Sequence, residues 1–206
     1  NEPQFLISTH PSLRSAALKL QQHKTSLGIS SSLLTTEEIY DSFGYGNADL
    51  SAIRNAIAFH YHQGKNLKNV LLIGKGTFDY KGKLGGRPNL IPIYTSRNSL
   101  NPLQTYSSDD YLGLIDWGQG IWEESREGDE HLQIGIGRIP AINFAEANLM
   151  VEKITSLQNP RIKQLVKLHL RSMDGNAIMR DYTRMLRVSS SPDAAISPNA
   201  MEKGVN

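Results

Sequence analysis

The sequence predicts an α/β protein in which a parallel sheet carries helices on both faces. Three features predict it. Asn69-Val70-Leu71-Leu72-Ile73-Gly74 is an unbroken apolar run of strand length, the pattern of a strand covered on both sides. Apolar stripes of helical period stand before and after that run, and strands alternating with helices build right-handed crossovers over one sheet. The composition, 39% hydrophobic and 20% charged over 206 residues, suits a packed core rather than a disordered chain.

Taken in order, Phe5-Leu6-Ile7 reads as a first strand ended by Thr9-His10-Pro11, and Leu13, Ala16, Ala17 and Leu20 form one helical stripe. Gly28 stops that helix, and Ile29 to Leu34 reads as a second strand, weakened by its serines. Thr35 stands three residues before Glu38, the spacing at which each side chain satisfies the other residue's free backbone N–H, so a short helix through Tyr40 follows. Asn47-Ala48-Asp49 opens a longer helix with Leu50, Ile53, Ile57 and Tyr61 on one face and Gly64 closing it. After the strand at 69–74, Leu90-Ile91-Pro92-Ile93-Tyr94 reads as an edge strand, because an internal Pro cannot donate to a central ladder. Leu132 to Arg138 reads as another strand. Asn143 and Glu146 repeat the cap spacing ahead of a helix running to about Asn159-Pro160. Beyond it, Val166 to Leu170 reads as a strand, Asp174-Gly175-Asn176 as a turn and Ile178 to Leu186 as a helix.

The bulk numbers exclude several classes of function. Lys plus Arg is 22 against 20 for Asp plus Glu, and no basic stripe interleaved with aromatics is visible, so nucleic acid is not an expected partner. No stretch approaches the roughly 18 apolar residues of a membrane span, and the first residues lack the pattern of a signal peptide. The chain is expected to be soluble and not transmembrane. It contains no cysteine, which removes disulfides, thiolate metal sites and any cysteine nucleophile from these residues.

Such sheets place functional loops beyond the carboxyl ends of their strands, which draws attention to Gly74-Lys75-Gly76-Thr77-Phe78-Asp79. Its glycines invite a phosphate-loop reading, yet no Gly-Lys-Ser/Thr closes it and no helix follows at once. Asp79 with Asp109 and Asp110 could gather at one rim and hold calcium, although the alternation of a dedicated calcium loop is missing. The competing reading has Asp109 and Asp110 capping a turn or the next strand through backbone hydrogen bonds. No cofactor and no metal other than calcium is suggested. The six histidines do not cluster, and His60 and His62, two apart in a helix, point away from each other.

Six segments in order then carry a resemblance. They are Ile7-Ser8-Thr9-His10-Pro11; Thr35-Thr36-Glu37-Glu38-Ile39-Tyr40-Asp41-Ser42-Phe43; Leu71-Leu72-Ile73-Gly74 with Gly76-Thr77-Phe78-Asp79; Tyr94-Thr95-Ser96-Arg97-Asn98-Ser99-Leu100; Ser108-Asp109-Asp110-Tyr111-Leu112-Gly113; and Ile134-Gly135-Ile136-Gly137-Arg138-Ile139-Pro140. Together they resemble the gingipain family of cysteine peptidases, most closely the branch that serves as sortase, or signal peptidase, of the type IX secretion system. The resemblance implies a caspase-like catalytic domain of two side-by-side α/β subdomains. Residues 1–160 would be the first subdomain and 161–206 a partial second one, cut before the catalytic His and Cys. It also implies that Asp174 falls where the family places a third member that orients the catalytic His.

The resemblance further implies a protein or peptide substrate, outer-membrane partner proteins of the secretion system, and a location at the extracellular face of the outer membrane or outside the cell. The expected function is thus the N-terminal portion of a cysteine peptidase or transpeptidase that processes carboxyl-terminal signals of exported proteins, inactive by itself for want of the Cys-His dyad. Two alternatives stand beside it: a non-catalytic scaffold that docks a secretion partner, and a small-molecule-binding α/β domain.

Overall fold

A computed structural model of the chain describes residues 2–86, 89–96, 106–116 and 131–157. Four strands, β1 (Phe5–Thr9), β2 (Ser31–Thr35), β3 (Asn69–Ile73) and a later one, here β6 (Gly135–Ile139), form an all-parallel sheet in the order β2-β1-β3-β6. Ile7 lies opposite Leu33 on one side and Leu71 on the other, and Leu71 lies opposite Gly137. The first strand is therefore internal. The chain adds β2 to one side of it and β3 to the other, so the topological switch point lies beyond the carboxyl ends of β1 and β3, at Thr9 and Ile73.

Alternating side chains divide the core between the two faces. Leu6, Val70 and Leu72 pack with Ile39 of α2 (Thr36–Phe43) and with Ile53, Ala56 and Ile57 of α3 (Leu50–Gly64). Ile7 and Ile73, one residue out of phase and fully buried, face the other way. There α1 (Arg14–Ser26) covers β1 and β2 with buried Ala16, Ala17 and Leu20. The expected helices on both faces, and the burial of Val70, Leu72 and Ile73, are thus observed; Leu71 is half-buried.

Local chemistry sets the helix ends. At α2 the capping box forms as its spacing predicts: Glu38 N–H donates to Thr35 Oγ1 at 3.3 Å and Thr35 N–H donates to Glu38 Oε2 at 2.7 Å. The bond from the Thr35 backbone, followed by one that the Thr35 hydroxyl donates to Glu38 Oε2 at 2.8 Å, holds the Glu38 carboxyl below its ordinary range. At α3 the N-cap is Asp49, which accepts from Ser51 N–H at 2.8 Å. Its C-terminal end differs from expectation. Gly64 is the last helical residue, and the left-handed position belongs to Lys65 at φ 51°. Gly64 answers a different demand, because a Cβ there would stand 2.7 Å from Glu2 Cγ. At α4 (Phe144–Ser156), Glu146 N–H donates to Asn143 Oδ1 at 2.9 Å, while Glu146 Oε2 accepts from Ile142 N–H at 3.0 Å. The return bond thus reaches one residue further back than in a capping box.

The segment 90–94 departs from expectation. Leu90 and Ile91 are buried but not in a strand; only Tyr94–Thr95 (β4) is extended and paired, antiparallel, with Ser107–Ser108 (β5) in a separate two-stranded sheet. The reason is that the Leu90 and Ile91 N–H groups are taken by the Lys75 carbonyl, at 3.0 and 3.4 Å, so this stretch closes a loop instead of extending the sheet. Residues up to Asn148 form one compact unit. Of the second unit, the described part is the remainder of α4 and Leu157. The expected boundary at 160 and the elements expected beyond it lie outside the described residues.

Candidate functional site

The carboxyl rim of the sheet is organised by Arg138, the penultimate residue of β6. Its guanidinium forms a bidentate pair with Asp109, Nε to Oδ2 at 2.8 Å and Nη2 to Oδ1 at 2.7 Å. Nη1 donates to the Gly74 carbonyl at 2.8 Å and the Ile91 carbonyl at 3.0 Å, and Nη2 donates to the Pro92 carbonyl at 3.0 Å. All five donors of the planar fork are occupied. The two side chains are 9% and 18% exposed, so the charges meet in a partly desolvated setting where a bidentate pair is strong. One residue thereby ties the end of β6, the exit of β3, the 91–92 segment and the turn before the 3-10 helix at Asp110–Gly113.

The loop after β3 uses its polar groups internally. The N–H groups of Gly74, Lys75 and Thr77 donate to the Ile139 carbonyl, the Ala141 carbonyl and Asn89 Oδ1 at 2.9, 2.9 and 3.1 Å. A Cβ on Gly76 would lie 2.8 Å from the Ile91 carbonyl oxygen, so that glycine permits packing against the 91–93 segment. Three of the N–H groups a phosphate would need are therefore spoken for. At the switch point itself, Thr9 Oγ1 donates to the Ile73 carbonyl at 3.1 Å, and His10 Nδ1 accepts from Ser12 N–H at 3.2 Å. Burial holds the His10 imidazole below its ordinary pKa, with Glu37 pulling the other way.

The three rim aspartates do not gather. Asp79 caps its own turn, accepting from Lys83 N–H at 2.9 Å and Leu84 N–H at 2.8 Å. Asp109 is the partner of Arg138 and makes no cap bond. Asp110 is exposed, and its N–H donates to Ser108 Oγ at 3.0 Å. Among the described residues no three His, Cys, Asp or Glu side chains come together as a metal site would require. His62 Nε2 lies 3.2 Å from the Ile115 carbonyl oxygen, while burial lowers the pKa of His60. Asp174 lies outside the described residues.

Tyr80 completes the rim. Burial raises the pKa of its phenol, Asp49 and Asp109 add to the effect, and a hydrogen bond with the Thr95 side chain and the Arg138 charge partly offset it. Sequence reasoning passed over Arg138, although a signal was there: one cation inside the Ile-Gly strand Ile134-Gly135-Ile136-Gly137-Arg138-Ile139 needs a partner when it is buried.

The comparisons with known proteins agree with this architecture. The model of peptidase family C25 matches residues 1–190. Among solved structures, the dimeric latent PorU from Porphyromonas gingivalis aligns with TM-score 0.60 and 21% identity, over 75% of this chain and 15% of that one. The complex of Porphyromonas gingivalis RgpB pro- and mature domains aligns with TM-score 0.51 and 16% identity, over 75% of this chain and 28% of that one. This chain thus spans a small part of either relative, and at such identity the likeness is one of fold, the α/β caspase-like arrangement expected. No curated protein sequence matches significantly. Among the described residues no helix is long and apolar enough to cross a membrane. With a family match over 190 residues and a parallel sheet of the order found here, the chain belongs to peptidase family C25, the gingipain family.

Proposed function

We propose that this chain is the supporting, N-terminal portion of a cysteine peptidase or transpeptidase of the type IX secretion sortase kind, which removes carboxyl-terminal signals from exported proteins. The observation that carries the reading is the family match over residues 1–190. In such an enzyme a thiolate attacks the peptide carbonyl, an imidazole holds its proton, and a third group orients the imidazole. With no cysteine in its 206 residues, the chain contributes the frame: the switch-point rim fixed by Arg138 and Asp109. Asp174 is proposed as the residue that orients a His supplied from elsewhere. The site of action is proposed to be the outer face of the outer membrane or the exterior.

The test is to express these 206 residues alone and joined to the polypeptide that follows them, and to offer each a fusion protein ending in an export signal. The chain alone is expected to release no signal. The longer polypeptide is expected to release it and to lose that activity on thiol alkylation. Absence of alkylation-sensitive cleavage in the longer polypeptide would overturn the reading. That same result would support one rival, a non-catalytic scaffold that docks a secretion partner.

A further inference from the structure

Between Gly74 and Ile91 the chain leaves the sheet, and the neck of this excursion is closed twice. Arg138 Nη1 donates to the carbonyls of both ends, Gly74 at 2.8 Å and Ile91 at 3.0 Å, and Leu90 N–H donates to the Lys75 carbonyl at 3.0 Å. Inside it, Asp79 binds the N–H groups of Lys83 and Leu84, its own carbonyl accepts from Gly82 N–H at 3.1 Å, and its N–H donates to Thr77 Oγ1 at 3.2 Å. The turn is shaped before anything binds to it, which lowers the entropy a partner must supply.

What this turn displays sets it apart from an ordinary polar rim. Phe78 is 66% exposed, Leu84 72% and Tyr80 43%, and Lys75, Lys81 and Lys83 stand exposed among them. Asp79 is the single acid between Lys75 and Leu84, and both its oxygens already accept backbone bonds. Asp109 neutralises the nearby Arg138. Among the described residues, Asp49 is also close enough to influence Tyr80. A loop closed at its neck that holds large apolar groups in water, amid lysines that form no ion pair among the described residues, fits a partner carrying both apolar groups and negative charge.

We propose that the Lys75–Leu84 face docks an acidic segment of polypeptide with apolar residues interspersed, its carboxylates meeting Lys81 and Lys83 and its apolar side chains meeting Phe78 and Leu84. The choice of polypeptide over other polyanions rests on the peptidase reading. It is favoured also because a nucleic-acid surface requires a longer basic stripe than this protein of net charge +2 presents. An anionic-membrane binder usually presents an amphipathic helix, and this loop contains none.

The test uses the whole chain and three fluorescein-labelled probes: a twelve-residue peptide alternating Glu and Leu, its Lys-Leu counterpart, and a fifteen-residue oligothymidylate. Phosphatidylglycerol vesicles serve as a fourth. The Glu-Leu peptide is expected to bind saturably and more weakly as salt rises. Its Kd is expected to weaken at least tenfold both in Lys81→Glu/Lys83→Glu and in Phe78→Ser/Leu84→Ser, with melting temperature unchanged because all four side chains are exposed. Equal binding by wild type and both double variants overturns the proposal, as does binding of the Lys-Leu peptide with the same affinity. Lysine-dependent capture of the oligothymidylate or the vesicles without capture of the peptide overturns it in favour of those ligands. Binding is read without turnover, so an inactive enzyme leaves this result intact. Conversely, an active enzyme that ignores the peptide overturns the docking surface alone.

Discussion

The body of the sheet and its carboxyl rim are held by opposite kinds of chemistry. Beneath α2 and α3, Leu6, Val70, Leu72, Ile53 and Ile57 share the load through many weak contacts, none directional. At the rim one guanidinium serves a carboxylate and three carbonyls through five directed bonds. The difference teaches where each region is vulnerable. A core of shared contacts gives way in proportion to what is removed, whereas a rim gathered on one hub loses five directed bonds at once and keeps only its backbone ties, such as those of Leu90 and Ile91 to Lys75.

The largest effect expected is in the body. Ile73 is fully buried in β3, and Ile73→Asp places an unpaired carboxylate there at a cost of several kcal/mol against a total of about 5–15 kcal/mol. Loss of the circular dichroism signal and of the melting transition is the expected outcome, and an unchanged melt would contradict the inner-strand assignment.

Arg138→Met is expected to cost about 3 kcal/mol, since it strands the Asp109 carboxylate in a largely buried site. Arg138→Lys keeps the charge but offers three donors for five places, and is expected to cost about half as much. Urea unfolding measures both. Limited trypsin digestion then separates rim from body, because cleavage after Lys81 and Lys83 should quicken in Arg138→Lys under conditions where the sheet stays folded. Cleavage at the wild-type rate would remove Arg138 from the centre of the rim.

A smaller change tests a feature local to one helix. Thr35→Ala removes the acceptor for Glu38 N–H and is expected to cost about 1 kcal/mol, read as a shift of the urea midpoint with unchanged slope.

The smallest effect concerns pH at the switch point. The folded pKa of His10 lies below the ordinary 6.5 because burial disfavours the imidazolium, so the stability tied to the neutral ring is present above that value and drains away as pH falls through the lower folded value. Protonated Nδ1 can no longer accept from Ser12 N–H. His10→Asn keeps an acceptor at this cap without titrating, and its melting temperature should fall less than that of wild type between pH 7.5 and 5.5. Parallel curves would show that His10 plays no part.

These contrasts also explain what the sequence revealed. The body was legible because its rules are local or periodic: the apolar run at 69–73, the stripes of α1 and α3, and the Thr35–Glu38 spacing each report their own surroundings. The segment 90–94 misled because its alternation resembles that of a strand, while what fixes it is a distant carbonyl at Lys75. The aspartates were legible only as capable residues. Nothing near Asp109 in sequence distinguishes it from Asp110, yet one meets Arg138 across 29 positions and the other faces water. Gly64 reads as a helix terminator on grounds of backbone freedom, whereas what a Cβ there would meet is the side chain of Glu2, far earlier in the chain.

The order of the strands bears on how the protein is made. With β1 internal, β2, β3 and β6 each emerge from the ribosome to find an edge already waiting. The guanidinium arrives last: Gly74, Ile91, Pro92 and Asp109 are all synthesised before Arg138. A nascent chain stalled short of that residue would hold its first three strands together, with the 75–91 neck closed by its backbone bonds alone, so translation itself sets the moment at which Asp109 is joined to this edge.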